Sequence, residues 1–389
     1  MFSHFKKIII RLAALILVFS IEVYRKFNPE PARIYFCYNQ SIHQIHHSIF
    51  IAIELSNIQR DYEVVVLSTS KEASDIIEEE IASIPNNVKV IKIKHPGYNK
   101  IDFSINWFVF LCRLRMHKPK AVVVTDYYDN VFRQLGLKTF WAYVGHGGRI
   151  HKFAFEPHIK EYDLVIVPSD KILERLENEI GVLNNYVVIG YSKFDYFRYH
   201  KPKPSNLFKD SKPVVLYNPH FKPGLSSFFD KGFELLSALS DTGNYNVIFM
   251  PHPDLSRKYP ALIKKCKGIK NVVIAERPKS NLDYMAVSDV YISDVSSSVY
   301  EWLYFDEPAV FFNAKHIDWR NNRYYQSWNL GEVVETISDL LDAIEYSLNY
   351  PRKFKQIRQT IFGDTFPNVD RNVSGMIANL LRDKIKETE

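Results

Sequence analysis

Short runs of β-branched and other apolar residues recur along most of this chain, each followed by a segment with helical character. This alternation is typical of parallel sheets covered on both faces by helices, so the chain is predicted to be α/β. The first series of predicted strands covers 32–37, 63–67, 88–93, 121–125, 141–144 and 164–167. The second series covers 214–217, 247–250, 272–274, 290–292 and 309–312.

A polar stretch with two prolines, residues 200–206, separates the two series and is the best linker candidate. A chain of 389 residues fits two domains of ordinary size. We predict two doubly wound, Rossmann-like domains over 29–199 and 207–365, followed by a C-terminal helix over 366–389. Both sets of strand ends would face a central cleft, where folds of this kind bind ligands.

Residues 1–28 combine an apolar run, 12–21, with basic residues on both sides. The run is shorter than the roughly 20 residues of a spanning helix, and no small-residue cleavage site follows it, which disfavours a signal peptide. We prefer a membrane-associated helix lying in the interface. The alternatives are a single spanning anchor and an amphipathic helix packed on the first domain. Either membrane interpretation leaves the remaining chain in the cytoplasm.

The net charge of +6 is spread along the chain, which argues against a nucleic-acid partner and suits a membrane surface or phosphate-bearing substrates. The three cysteines have neither metal-binding nor disulfide spacing, which indicates a reducing compartment.

A hydroxyl-rich turn lies between the predicted strand 290–292 and a predicted helix, 299–304. Serine hydroxyls and free N–H groups at a helix start can hold a pyrophosphate. Simple capping of the helix explains one or two of these residues but does not need three consecutive serines. Glu301, one turn later, could accept hydrogen bonds from a ribose. The predicted phosphate-binding residues of the turn are Ser293, Asp294, Ser296, Ser297 and Ser298.

Two histidines also follow predicted strands. His252 stands between two prolines, which restrict its backbone and suit a catalytic or phosphate-contacting imidazole. His146 is surrounded by glycines that let another group approach, and it could take a proton from an incoming hydroxyl. Three nearby residues add positive charge and are predicted acceptor or anion contacts: Arg149, His151 and Lys152.

Two further turns place a lysine after a strand, and both lysines, Lys193 and Lys222, are predicted contacts of the donor phosphates. His43, His46 and His47 open the first helix with a spacing that permits metal ligation, but no carboxylate or cysteine accompanies them in sequence. We interpret these histidines as a solvated or acceptor-side helix start, and we predict no metal site and no cofactor. Cationic side chains and helix dipoles would stabilise the leaving group instead.

At these residues the sequence resembles the CDP-glycerol glycerophosphotransferase family, which builds teichoic acids and related capsule polymers. The resemblance covers roughly 140–365 and is most specific over 283–312. It rests on five ordered elements: the loop 145–147, the turn 190–195, the turn 218–222, the His-Pro pair 252–253 and the serine motif 293–297. Lysine stands at 193 and 222 where the family has arginine.

The resemblance implies a GT-B fold and transfer of glycerol phosphate, or a related polyol phosphate, from a CDP-linked donor to a lipid-linked or polymeric acceptor. His146 would be the base toward the acceptor hydroxyl. His252 and the Ser296/Ser297 region would hold the donor phosphates, and CMP would leave. Two other hypotheses stay open: a GT-B glycosyltransferase that uses an NDP-sugar, and a non-catalytic membrane-associated scaffold.

Overall fold

The structure is a computed structural model that describes residues 20, 23, 31–38, 42–93, 117, 119–125, 139–145, 157–201, 207–275 and 280–388. These residues form two all-parallel sheets, which confirms the α/β class. The predicted membrane-associated segment 1–28 lies outside the described residues except for Ser20 and Val23. Residues 202–206 of the predicted linker also lie outside them.

The first sheet has seven parallel strands in the order β3-β2-β1-β4-β5-β6-β7. Its strands are β1 (Arg33–Tyr38), β2 (Glu63–Ser68), β3 (Lys89–Lys92), β4 (Ala121–Val124), β5 (Phe140–Val144), β6 (Leu164–Val167) and β7 (Tyr186–Val188). Its helical segments are a 3-10 turn (Ile42–His47), α1 (Ile49–Ile58), α2 (Lys71–Ala82), a 3-10 turn (Pro157–Glu161), α3 (Asp170–Ile180), a 3-10 turn (Ser192–Asp195) and α4 (Tyr196–Tyr199).

The second sheet has six parallel strands in the order β10-β9-β8-β11-β12-β13. Its strands are β8 (Val214–Asn218), β9 (Asn246–Phe249), β10 (Val272–Ile274), β11 (Val290–Ser293), β12 (Ala309–Phe312) and β13 (Glu332–Val334). A π turn (Phe228–Gly232) leads into α5 (Phe233–Thr242), and two 3-10 turns cover Leu303–Phe305 and Arg323–Leu330. The other helices are α6 (Pro253–Lys258), α7 (Pro260–Lys265), α8 (Asn281–Met285), α9 (Ser298–Trp302), α10 (Ile337–Asn349), α11 (Lys355–Thr365) and α12 (Val373–Lys386).

Two edge strands, β7 and β13, are absent from the strands that the apolar pattern predicts. Each has three residues and is only partly buried, so its sequence carries little of the continuous apolar signal of the central strands. After β13 the next helix begins at Ile337, where the Thr336 side chain accepts a hydrogen bond from the Asp339 backbone N–H.

Side chains of each strand alternate between two apolar layers, as the period of a strand requires. Ile34 and Phe36 face one layer, whereas Tyr35 and Cys37 face the other. The outer layers of the two sheets are separate clusters. The remaining buried side chains form one cluster that runs from the first sheet into the second, so the two halves of the molecule share a core.

The C-terminal helix α12 returns to the first half of the chain and packs against α1. Asn372 caps α12 and also donates a hydrogen bond to Glu54 on α1, at 2.7 Å. Next to this helix, Gly190 has a φ of +142°. A Cβ at Gly190 would lie 3.0 Å from the Val373 side chain, so both its conformation and its contact favour glycine. The domain boundaries drawn from sequence stay a prediction.

A buried ion pair joins the end of the first half to the second sheet. The Lys193 ammonium lies 2.7 Å from one Glu301 carboxylate oxygen and 2.8 Å from the other, and both side chains are 5% exposed. Tyr191 and Asn281 donate further hydrogen bonds to the same carboxylate, at 2.6 and 2.7 Å. Burial opposes ionisation of Glu301, but Lys193, Asn281 and Tyr191 outweigh it and hold the pKa of this carboxyl below its usual range.

Across the described ranges, no helix combines the length and apolarity that crossing a membrane requires.

Replacing Lys193 with methionine should destabilise the protein, because Glu301 would remain buried without its counter-charge. We expect a loss of about 3–5 kcal/mol, measured as a lower urea midpoint of tryptophan fluorescence. Lys171→Met is the matched control, since Lys171 makes a more exposed ion pair with Asp364 at 3.1 Å. Exposed pairs contribute only about 0–1 kcal/mol. Equal effects of the two substitutions would show that the buried pair has no special weight.

Candidate active site

The second sheet reverses its strand order between β8 and β11, which are hydrogen-bonded neighbours. The strand ends at such a switch point diverge and leave a crevice, which is the usual ligand site of open α/β sheets. Asn218 ends β8 and lies in register with Ser293, which ends β11. The turn 218–222 and the serine motif, both singled out from sequence, are therefore side by side.

Asn218 organises this crevice through its amide. The amide nitrogen donates to the Met250 carbonyl at 2.6 Å, which turns the amide oxygen toward the serine turn. The Tyr291 and Ser298 hydroxyls donate to that oxygen at 2.7 and 2.6 Å. The Ser296 hydroxyl lies 2.7 Å from that of Ser298. Ser298 is therefore bound within the protein, while the half-buried Ser296 ends this chain of hydroxyls and also accepts the Ser298 backbone N–H at 3.3 Å.

The remaining members of the motif divide between structure and surface. Ser293 is buried and donates to the Asn218 carbonyl at 2.8 Å. Ser297 is half-buried at the start of α9, and its side chain makes no capping hydrogen bond. Ser296 and Ser297 are thus the hydroxyls of the motif best placed to meet a ligand.

Asp294 connects the two turns instead of capping α9. Its carboxylate accepts a hydrogen bond from the His220 backbone N–H at 3.0 Å, and its carbonyl accepts one from the Trp328 indole at 3.0 Å. Burial raises the pKa of Asp294 to about 6, although hydrogen bonds from Ser227 and the His220 backbone act in the opposite direction.

His252 follows β9, the strand next to β8, and begins α6. Its Nδ1 accepts a hydrogen bond from the Asp254 backbone N–H at 3.1 Å, so a neutral ring carries its proton on Nε2. Burial, together with the charges of His43 and Lys258, lowers the pKa of His252 to about 3. His252 is therefore a neutral hydrogen-bond donor near pH 7.

Aromatic and basic side chains surround this imidazole. The Phe221 ring lies 4.6 Å from the His252 ring and 4.7 Å from the His220 ring, measured between centroids. The Lys258 and Lys222 ammonium groups lie 5.2 and 5.8 Å from the Phe221 centroid. The predicted donor contact Lys222 thus lies near the Phe221 ring, which in turn contacts His252. The two lysines add positive charge that suits a phosphate.

Lys193 and Glu301 were predicted to contact the donor, and the structure places them against each other in the buried ion pair described above. A ligand would have to compete with that pair, so this role stays a prediction.

The predicted acceptor-side residues lie outside the described residues: His146, Arg149, His151 and Lys152. The described chain reaches Gly145, which follows β5 and donates its backbone N–H to the Ile166 carbonyl at 3.2 Å.

Sequence reasoning missed Asn218 and His220 as members of the site. The turn that contains them was valued only for Lys222, although both residues follow a strand of the second series. Their position after a strand at the strand-order reversal was the signal that could have identified them.

Within the described ranges, no three histidine, cysteine or acidic side chains are grouped in a way that could hold a metal. His46 instead pairs with Glu80, at 3.1 Å.

The sequence of this chain is similar to those of proteins of teichoic acid synthesis. The chain is 24% identical over 178 residues to the minor teichoic acid biosynthesis protein GgaB of Bacillus subtilis, covering 44% of this chain and 19% of GgaB. It is 21% identical over 308 residues to the teichoic acid glycerol-phosphate primase of the same organism, covering 76% of this chain and 78% of the primase. The chain thus spans about a fifth of GgaB but most of the primase.

Among solved structures, a variant of the wall teichoic acid polymerase TagF soaked with CDPG superimposes with a TM-score of 0.62. The identity is 16%, and the superposition covers 100% of this chain and 98% of TagF, which establishes a shared fold. The family model described as CDP-Glycerol:Poly(glycerophosphate) glycerophosphotransferase matches residues 112–382, more than half of the chain. This chain belongs to that family.

Proposed function

We propose that the protein transfers glycerol phosphate, or a related polyol phosphate, from a CDP-linked donor to a lipid-linked or polymeric acceptor in teichoic acid or capsule polymer synthesis. The observation that carries the proposal is the crevice between β8 and β11. The turns that carry Ser296 and Ser297, Lys222 and His252 follow three neighbouring strands, β11, β8 and β9, within the stretch that matches the family.

This arrangement suits a diphosphate better than a neutral ligand. Hydroxyls and a neutral imidazole donate hydrogen bonds, and Lys222 and Lys258 beside Phe221 supply two positive charges against the carboxylate of Asp254, which pairs with Lys258. Asp294, the acidic residue of the motif, is turned inward onto the His220 backbone. Its charge is therefore directed away from the side of the turn that carries Ser296 and Ser297.

In the proposed reaction, the acceptor hydroxyl oxygen attacks the phosphorus that bears the polyol. A bond forms between that oxygen and the phosphorus, and the bond from the phosphorus to the oxygen bridging to CMP breaks. His146 takes the proton of the hydroxyl, and CMP leaves with the bridging oxygen. His252 and the lysines would stabilise the negative charge on the phosphate oxygens as the old bond lengthens. The donor is a substrate, and the proposal includes no separate cofactor.

The membrane partner and the location at the cytoplasmic face of the membrane are part of this proposal. They rest on the apolar and basic character of residues 1–28 and on the lipid-linked acceptor that the reaction would use.

Incubation with labelled CDP-glycerol, CDP-ribitol and a panel of UDP-sugars, each with a lipid-linked acceptor, tests the proposed function. We expect release of CMP together with transfer of the labelled polyol phosphate. Release of UDP with transfer of sugar would instead establish a glycosyltransferase. Binding of a donor without turnover on any acceptor would favour a scaffold.

Replacing His146 with alanine should lower the rate of transfer by about 10²–10⁴-fold, the contribution expected of a general base. Binding of the CDP-linked donor, measured by calorimetry, should change little because His146 is assigned to the acceptor side. His158→Ala, at a half-exposed histidine that pairs with Glu161, serves as the control. A correctly folded variant that no longer binds the donor would reassign His146 to the donor.

Removing the Ser296 and Ser297 hydroxyls together should weaken donor binding by about tenfold or more, because each can donate to a charged phosphate. The fold should persist, since Ser298 keeps its hydrogen bonds to Asn218 and Tyr291. Ser237→Ala on α5 is a control at another half-buried serine. An unchanged dissociation constant in the double variant would contradict the assignment.

A further inference from the structure

His43 belongs to the first half of the chain, yet its imidazole lies against the donor side of the cleft. Its ring centroid is 5.6 Å from that of His252, with an angle of 57° between the ring planes. His43 lies on the turn Ile42–His47 that follows β1, whereas His252 follows β9. The two histidines therefore approach each other from the two sheets.

The turn that carries His43 is held firmly by its buried neighbours. His46 Nε2 lies 3.1 Å from a Glu80 carboxylate oxygen, and Glu80 also contacts His200 at 2.6 Å. The Gln44 side-chain oxygen accepts a hydrogen bond from Thr125 at 3.1 Å, and the His47 carbonyl accepts one from Ser192 at 2.6 Å. These contacts come from three different elements, so the position of the turn is fixed.

His43 is the exposed residue of this six-residue turn, in which Gln44, Ile45, His46 and His47 are buried. A polar side chain on such a rigid support is well placed for ligand binding, because little conformational entropy is lost when it binds. Its surroundings favour an anion, since Lys222 and Lys258 lie near the Phe221 ring that contacts His252. The carboxylate that pairs with Lys258, Asp254, is also paired with Arg257 at 2.7 Å, so positive charge prevails there.

The separation of the two rings also suits a shared phosphate oxygen. Two N–H donors, each at about 2.8 Å from one acceptor, are at most about 5–6 Å apart. Rings whose centroids are 5.6 Å apart can place their nitrogens within that range. Because His43 comes from the sheet that also carries the strand leading to His146, the phosphate nearest to it would be the one nearest to the acceptor.

Building on the proposed function, we propose that His43 is a further phosphate-binding residue that contacts the transferred phosphate of the nucleotide donor from across the cleft, opposite His252. Together the two imidazoles would hold that phosphate between the two halves of the molecule. The nucleoside monophosphate that leaves would depend on the second half alone.

Calorimetric titration of the full chain with CDP, UDP, CMP and UMP tests this assignment. In His43→Asn we expect affinity for the preferred diphosphate to fall about tenfold, the loss of one hydrogen bond to a charged group. Affinity for the matching monophosphate should stay within about twofold. His316→Asn is the matched control: His316 is 67% exposed, pairs with Glu335 and has a φ of +51° that asparagine tolerates.

The outcomes separate this inference from the proposed function. Unchanged diphosphate affinity in His43→Asn, or an equal loss for monophosphate and diphosphate, would overturn the role of His43. Preference of the unmodified protein for UDP over CDP would overturn the CDP-linked donor, while the comparison of UDP with UMP would still test His43. A protein that binds neither diphosphate contradicts both proposals. If His43→Asn folds poorly, His43→Gln allows the same comparison.

Discussion

The buried pair of Lys193 and Glu301 is the interaction on which the position of the candidate site depends. Glu301 lies on α9, directly after the serine turn, and Lys193 lies on the segment that ends the first half of the chain. Two charges buried together need close contact and further hydrogen bonds, and Tyr191 and Asn281 provide them. The helix behind the phosphate turn is therefore tied to the other half of the molecule.

Around this pair, aromatic packing and the returning C-terminal helix strengthen the same connection. Tyr191 stacks on Phe366 with centroids 4.6 Å apart, and Phe194 stacks on Tyr304 at 4.8 Å. Helix α12 adds apolar contacts with α1. The two sheets thus meet over a continuous apolar layer, and this layer sets the distance between residues that follow β1 and residues that follow β9. The approach of His43 to His252 is a consequence of that packing.

Much of the architecture could be predicted because central parallel strands are buried on both faces. Runs such as 121–124 and 290–292 must be apolar throughout, and that pattern is visible in sequence. The edge strands β7 and β13 carry no such requirement and were missed. In the candidate site, the sequence singled out Ser296, Ser297 and His252 because they follow predicted strands. The sequence did not single out Asn218, because its importance comes from hydrogen bonds with Tyr291 and Ser298, which lie about 75 residues away in the chain.

The sequence by itself determined the α/β class, the two series of strands and the turns where polar residues gather, because strand periodicity and turn chemistry are local properties. Only the tertiary structure decided which of those polar residues face inward. It placed Asp294 on the His220 backbone and Glu301 on Lys193, and it brought His43 to His252. These contacts join residues 74 to 209 positions apart, and they depend on strand order and on the packing of the two sheets, which no local pattern encodes.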